Sequence, residues 1–338
     1  MEMKTCQILG VHIAITNMNE TVQYLEDNIS MLKGKYITVC NGHTSVMAYE
    51  DKKYRNVQNK AILSLPDGEP LSIVSRLRGY QEAQRVTGPD LMEEMFKKGQ
   101  EGDGLRHYFY GGTQETLDSL KEVLESKYPN LQIAGMYSPP FRKLTKEEKQ
   151  EDIERINASG ADIIWVGLGA PKQENWMYEH RGMLCGVSIG VGAGFDYHAG
   201  KLRRAPKWMQ RMSMEWFVRL LQDPKRLWKR YLVTNTKFIC YAIKESVQVN
   251  RKSDKIEVNG KMVPVLEYHK TNSSYHTDKQ QVFIIGSKGI PAAYGGFETF
   301  VEKLTEKQVS DKIRYHVSRM GKDNKRYKYH RAKCFNIR

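Results

Sequence analysis

Long apolar runs are missing from this 338-residue chain. No stretch of about 18 apolar residues occurs, so no segment is expected to cross a bilayer as a helix. The N-terminus, MEMKTCQILGVHIAITN, has neither the basic start nor the apolar length of a secretory signal. Cysteine is sparse: Cys6, Cys40, Cys185, Cys240 and Cys334 are scattered and odd in number, with no CxxC pair or Cys/His cluster. Neither a zinc site nor a disulfide framework is indicated, and reduced thiols in the cytoplasm are the simpler reading. GxGxxG and Walker A patterns are absent, which counts against dinucleotide oxidoreductases and P-loop NTPases. HExxH, DxD and a defensible Ser/His/Asp order are absent too; Glu101-Gly102-Asp103 is the nearest acidic pair. Acidic side chains are in the minority, 39 against 53 Lys and Arg, and the net charge of +14 implies an anionic partner. Nucleic acid, a membrane surface and a phosphorylated substrate all meet that requirement.

What is present is first a repeated pattern. Between Tyr36 and Asp196, short apolar strands end in Gly- or Pro-containing turns and are followed by helices. Ile37–Cys40 leads into Asn41-Gly42-His43, Ala61–Leu65 into Pro66-Asp67-Gly68, and His107–Tyr110 into Gly111-Gly112-Thr113. Asp162–Val166 leads into Gly167-Leu168-Gly169-Ala170-Pro171, and Gly186–Val191 into Gly192-Ala193-Gly194. A polar break, Gly79–Asp90, precedes a short helix expected over Leu91–Lys98. Alternating strands and helices predict an α/β fold, a mostly parallel Rossmann-like sheet with helices on both faces. In such sheets the loops at the carboxyl ends of the strands gather along one ligand-binding edge, and all these turns lie there.

Each candidate on that edge has an ordinary alternative. Asp67 is delivered to the edge by an apolar strand and suits a general base, yet an Asp in such a turn also caps helices. Gly111, Gly112, Gly167 and Gly169 can present backbone N–H groups to a diphosphate, and tight turns need glycine anyway. Gln173 can hydrogen-bond a sugar without adding charge, and Glu174 beside it can simply complement a helix dipole. Arg85 can neutralise phosphate; a surface ion pair is the commoner fate of a lone Arg. Asn41 and His43 share the edge.

Lys201–Tyr231, KLRRAPKWMQRMSMEWFVRLLQDPKRLWKRY, has ten Lys or Arg, opposed only by Glu215 and Asp223. It predicts helices over Ala205–Leu221 and Pro224–Tyr241. In the first, Trp208, Met212, Trp216 and Leu220 recur every fourth residue, an amphipathic pattern. Basic residues interleaved with Trp and Met suit anionic lipid. A solvated basic hairpin is the plain alternative. No RNA-recognition aromatic motif, zinc finger or clear helix-turn-helix supports nucleic acid. The expected organisation is a core over 1–200, a basic amphipathic helical appendage over 201–245, a polar linker over 246–280 and a partial second domain over 281–338.

The succession NGHT, LPDG, QRVTGPDL, YGGTQE, GMYSPPF, GLGAPKQE, GVGAGFDYHAG and the basic–aromatic tail resembles the WecG/TagA/CpsF family of bacterial glycosyltransferases over about residues 5–243. The resemblance implies transfer of a hexose or N-acetylhexosamine, N-acetylmannosamine among the candidates, from a UDP-sugar to a polyprenyl-diphosphate-linked sugar. It also implies inversion, no metal and no cofactor. It casts Asp67 as the base, and Asn41, Arg85, Gln173 and Tyr137 as lining the donor site. Arg219, Arg226 and Arg230 or Lys229 then face the diphosphate. The chain departs from the family where Thr usually precedes the Asn by two places; Val39 stands there, and alternation turns Thr38 to the other face. The implied setting is the inner face of the cell membrane, in surface-polysaccharide synthesis, with no nucleic-acid partner; a homo-oligomer is left open. VFIIGSKGIPAAYGGFETFVEKL, from Val282, resembles the start of rhamnosyltransferase-like enzymes with the domain-of-unknown-function 1972 pattern, and reads as a truncated fusion without activity of its own. A nucleotide-dependent oxidoreductase and a non-catalytic basic binding module remain the alternatives at this point.

Overall fold

The computed structural model describes residues 3–102, 104–206, 209, 215–253, 255–258, 261–264, 284–285, 317–320, 326–329 and 332–337; for residues 225–227, 229, 230 and those beyond 245 the description is of the backbone. One compact unit runs to Ala242 and a second from Ile243.

The first unit opens with an antiparallel hairpin, β1 (Thr5–Ile8) and β2 (Val11–Ala14), and a helix, α1 (Met18–Leu32). Strand β3 (Tyr36–Cys40) is followed by α2 (Gly42–Glu50) and α3 (Lys52–Asn59), and β4 (Leu63–Pro66) by α4 (Glu69–Leu77) and α5 (Gly88–Glu101). Then come β5 (Arg106–Gly111), α6 (Gln114–Lys127), β6 (Gln132–Tyr137), α7 (Lys146–Ala158), β7 (Ile163–Gly167), α8 (Lys172–Glu179), β8 (Val187–Gly190) and α9 (Gly194–His198). Six strands form one sheet in the order β4-β3-β8-β7-β5-β6, and every pairing in it is parallel. The expected α/β architecture is therefore present, with all strand carboxyl ends on one edge.

Both faces of the sheet are covered, which is why β3, β4 and β8 are buried along their whole length. On one face Ile37, Val39, Phe109, Ile163 and Trp165 pack against Leu25 of α1, Phe96 of α5 and Leu120 of α6. On the other, Tyr108, Tyr110, Ile164 and Val166 meet Ile153 and Ile156 of α7 and Trp176 and Met177 of α8. Alternation behaves as expected at β3. Val39 joins the first core, while the Thr38 hydroxyl turns the other way and donates to Ser64 Oγ at 2.9 Å.

Local signals explain several boundaries. Helix α5 starts three residues before the expected Leu91, because Thr87 caps it by accepting from the Asp90 N–H at 3.1 Å and Pro89 sits in its first turn. It ends at Gly102 in the left-handed conformation, φ 93°. Helix α7, which the strand–turn pattern did not single out, begins with a capping box between Thr145 and Glu148.

Two further helices follow, α10 (Glu215–Gln222) and α11 (Pro224–Ser253). The expected first helix from Ala205 lies partly outside the described residues. Helix α11 continues twelve residues past the expected end at Tyr241, through a stretch free of Gly and Pro, the residues that stop helices. It docks on the first unit through Thr234, Phe238 and Ala242, one turn apart and buried beside α2 and the β1–β2 hairpin. Tyr241 stacks on Tyr49 with ring centroids 4.4 Å apart, and Lys237 pairs with Glu50 at 2.7 Å.

In the second unit, β9 (Lys255–Val258) and β10 (Lys261–Pro264) pair antiparallel, within the stretch read as a linker; Asn259 and Gly260 lie between them in the sequence. A four-stranded sheet has the order β11-β12-β14-β13, with β11 (Ile284–Ile285), β12 (Val317–Met320), β13 (Arg326–Tyr329) and β14 (Ala332–Ile337). The strand expected at Val282–Ile285 corresponds to β11; the Gly loop and helix expected after it lie outside the described residues.

Candidate active site

The strand order sets out the candidates in a row. From one end of the carboxyl edge to the other stand Asp67 after β4, Asn41 after β3, Gly192 after β8, Gly167–Pro171 after β7, Gly111-Gly112 after β5 and Tyr137 closing β6. Five inter-strand spacings of about 4.8 Å make this row about 24 Å long. Asp67 and Tyr137 are thus at opposite ends, with the glycine loops between them.

At the first end four elements converge. The Asp67 N–H donates to the Cys40 carbonyl at 2.8 Å, extending the β3–β4 ladder by one residue. Asn41 caps α2, its Oδ1 accepting from the N–H groups of His43 at 3.0 Å and Thr44 at 3.2 Å. That use of Oδ1 leaves its amide nitrogen for the Asp67 carboxylate, and a side-chain hydrogen bond joins the two. The segment after α4 folds back so that the Val86 N–H reaches the Pro66 carbonyl at 2.8 Å, and Arg85 Nε donates to the Asp67 carbonyl at 2.8 Å. Arg85 Nη2 pairs with Glu215 on α10, and these side chains are only 20% and 14% exposed. Glu215 also accepts from Arg204 Nη2 at 3.2 Å, and Arg204 Nη1 pairs with Asp90 at the start of α5. Charges therefore alternate along Asp67, Arg85, Glu215, Arg204 and Asp90.

The surroundings set the protonation of this chain. Burial is the largest influence on the partly exposed Asp67 carboxyl and raises its pKa above the ordinary carboxylate value. The Arg85 charge, the hydrogen bond from Asn41 and the Arg219 charge work against that rise, while Glu215 adds to it. Burial likewise opposes the charge on Arg85, but Asp67 and Glu215 outweigh it and hold the guanidinium cationic. At Asp90 burial is outweighed by Arg204 and Thr87, and its pKa falls.

The glycines divide into two kinds. At Gly111, φ is +115° and a Cβ would lie 2.7 Å from the Gly167 carbonyl carbon; at Gly167 a Cβ would lie 2.7 Å from the Phe195 ring. Those two are glycine because loops and core crowd them. Gly169, φ +75°, has open space where its Cβ would be, as a loop facing a ligand requires. Gly112 is intermediate, with φ +72° and the Phe195 ring 3.4 Å from a Cβ.

Gln173 is buried at 4% exposure, and both ends of its amide are engaged within the protein. Its Oε1 accepts from the Gly169 N–H at 3.1 Å and the Gly192 N–H at 3.0 Å, and its Nε2 donates to Glu174 at 2.9 Å. It links the loops after β7 and β8. Tyr137 lies under the Arg155 guanidinium, 3.9 Å from the ring centre, and against Tyr110. His43 faces Thr234 of α11 at 3.4 Å. In the appendage, the Arg219 guanidinium lies 5.9 Å from the Tyr197 ring centre and within electrostatic reach of Asp67. The side chains of Arg226, Lys229 and Arg230, and the whole of Trp208 and Met212, lie outside the described residues. Among the described residues no group of three or more His, Cys, Asp and Glu is placed to hold a metal ion.

Sequence reasoning overlooked Glu215, Arg204 and Asp90 as site residues, and it read Glu174, which is buried, as a charge complementing the helix dipole. Glu215 carried a readable signal: an acid placed among ten bases is there for a partner. Asp90 and Arg204 carried none, since their pairing depends on how α5 and the segment before α10 meet.

Comparison with known proteins gives the family of the chain. The model of the Glycosyl transferase WecG/TagA/CpsF family matches residues 6–252, and that of the Domain of unknown function DUF1972 matches residues 279–338. An N-acetylglucosaminyldiphosphoundecaprenol N-acetyl-beta-D-mannosaminyltransferase of Bacillus subtilis strain 168 is 32% identical over 232 residues, 68% of this chain and 88% of its own. Its namesake from Bacillus spizizenii is 31% identical over the same shares. With its parallel sheet, its edge of glycine loops and a family match spanning residues 6–252, the chain belongs to the WecG/TagA/CpsF family of glycosyltransferases.

Proposed function

We propose that the chain transfers a hexose or N-acetylhexosamine from a UDP-sugar to a sugar carried on a polyprenyl diphosphate, with inversion. The observation that carries this reading is the Asp67 carboxyl at the end of β4, hydrogen-bonded by Asn41 and faced by Arg85 and Arg219. Asp67 takes the proton of the acceptor hydroxyl. The acceptor oxygen attacks the anomeric carbon from the side opposite the UDP oxygen, and that carbon–oxygen bond breaks. The departing diphosphate is met by cations, Arg219, Arg226 and Arg230, and by the open loop at Gly169. N-acetylmannosamine is the first donor sugar to test, since the two relatives are named for it. With Val39 where the family usually has Thr, other hexoses belong in the same assay.

The appendage supports a site at the inner face of the cell membrane. Trp216, Leu221, Trp228, Leu232 and Ile239 are exposed on α10 and α11, beside abundant Lys and Arg. Exposed apolar residues in that company suit a surface both greasy and anionic. No helix among the described residues is long and apolar enough to cross a membrane.

The direct test supplies UDP-N-acetylmannosamine, UDP-N-acetylglucosamine and UDP-glucose with a short-chain polyprenyl-diphosphate N-acetylglucosamine and measures UDP release. One of these donors is expected to support release that requires the acceptor; release by none overturns the reading. A chain ending at Gly200 is expected to lose turnover on that soluble acceptor as well as binding to anionic vesicles. Full activity in the shortened chain would reduce the appendage to an anchor.

A pH profile gives a further check. Transfer needs Asp67 ionised, so kcat/KM should rise with pH through a midpoint above the ordinary carboxylate value. Among the described residues the groups facing that carboxyl are Arg85, Glu215, Arg219 and the neutral Asn41; burial raises the midpoint most, and Glu215 is the charge among them that adds to the rise. Glu215→Gln should therefore move the acid limb to lower pH. A limb that stays put, or moves up, contradicts Asp67 as the group being titrated.

A further inference from the structure

Glu174 is fully buried, 0% exposed, in the first turn of α8, yet no ion pair among the described residues accounts for it. Burial raises its pKa, against the opposing influence of the Gln173 hydrogen bond and the nearby Tyr54 hydroxyl. One oxygen, Oε1, accepts from Gln173 Nε2 at 2.9 Å; among the described residues the other makes no hydrogen bond. Behind it stand Tyr54 and Gln58 of α3, both buried, with Gln58 Nε2 donating to the Tyr54 hydroxyl at 2.8 Å. Because the Tyr54 oxygen accepts from Gln58, its own proton is left to face Glu174. Hydrogen bonds thus lead from Glu174 through Gln173 to the N–H groups of Gly169 and Gly192, with Tyr54 standing beside the second Glu174 oxygen.

The point of this chain is an orientation. A glutamine amide has an accepting and a donating end of nearly the same shape. With Oε1 toward the loops, Gln173 receives two N–H groups; turned over, it would set its own N–H₂ against them and leave both loop donors unsatisfied. The surroundings hold the amide closely, since a Cβ at Gly190 would lie 3.0 Å from Gln173 Nε2. Two things select the first orientation: the loop N–H groups on one side and, on the other, the acceptor Glu174 Oε1, which the turned-over amide would face with its own oxygen. We propose that Glu174 is a positioning residue that fixes the amide of Gln173 and, through it, the two glycine loops between Asp67 and Tyr137 that receive the donor diphosphate. The assignment of the diphosphate rests on the donor reading above; the positioning of the loops does not.

The test uses the full chain and UDP as the probe, measured by calorimetry, with hydrogen exchange of the segments containing Gly169 and Gly192. Glu174→Met removes the acceptor at similar volume, and should weaken UDP binding about tenfold, the scale of one hydrogen bond, and speed exchange in both loops. Glu174→Gln keeps a carbonyl oxygen for Gln173 and should restore affinity to within about threefold, with exchange returned to its original rate. In a Gln173→Met background, adding Glu174→Met should change affinity by less than about twofold, because the residue through which Glu174 acts is gone. A merely space-filling role predicts otherwise: Met, of similar volume, as well tolerated as Gln, and independent effects in the double variant. Either result overturns the proposal. Should Glu174→Met not fold, Glu174→Leu takes its place. If the unaltered chain does not bind UDP, the donor reading fails, and the exchange data alone decide the positioning: faster loops with Met and not with Gln support it, equal rates overturn it.

Discussion

Asp67→Asn is expected to lower acceptor-dependent UDP release by about 10²–10⁴-fold, the range that a positioned general base contributes. UDP affinity should stay within a few-fold of the original. Asparagine fills the same volume at the end of β4 and can still receive the Asn41 amide nitrogen on its oxygen, but it cannot take a proton at neutral pH. Stability gives an independent reading. Burial raises the Asp67 pKa, so the folded chain holds that proton more tightly than the unfolded one. Such a carboxyl costs nothing below its unfolded pKa and weighs against folding once the pH exceeds its folded pKa. The asparagine variant should therefore melt no lower than the original at neutral pH. A variant that keeps its rate removes Asp67 as base. One that loses rate and melts much earlier would point to a structural carboxylate.

Glu215→Lys is expected to be nearly as severe for a different reason. Glu215 receives Arg85 from the core and Arg204 from the approach to α10, at 14% exposure. Losing a partly buried carboxylate with two partners costs about 2 kcal/mol, between the surface and fully buried values. A lysine there adds repulsion against both guanidinium groups. Helix α10 should leave the edge and carry Arg219 away from Asp67, reducing kcat/KM on a soluble acceptor by about 10²-fold. The sheet should remain folded, because neither of its cores includes Glu215. Far-UV circular dichroism and kcat/KM measured together check this. Unchanged turnover would mean that α10 does not take part in the site.

Much of this arrangement was legible in the chain. Strand alternation sent Thr38 and Val39 to opposite faces, and the turn residues put Asp67, Asn41 and the glycine loops on one edge. Other features were hidden for physical reasons. Strand β6 is amphipathic only weakly, with half-exposed residues and a central Gly135, so its pattern did not stand out. The bonds that Gln173 receives from the Gly169 and Gly192 N–H groups were hidden, since a sequence does not say which polar side chains are satisfied by the backbone. The glycines looked alike, although Gly111 and Gly167 are held by crowding and Gly169 by an open loop.

The appendage shows the same division. Its basic and aromatic content was plain and implied an anionic, greasy partner. That an acid, Glu215, would tie α10 to the edge was not. By itself the sequence determined the parallel α/β sheet, the edge on which Asp67 stands and the family to which the chain belongs, because hydrophobic period and turn chemistry are local. Only the tertiary structure decided which charges meet and which amides are consumed. Asp67, Arg85, Glu215, Arg204 and Asp90 come from distant parts of the chain, and their pKa values and partners exist only once burial has brought them together.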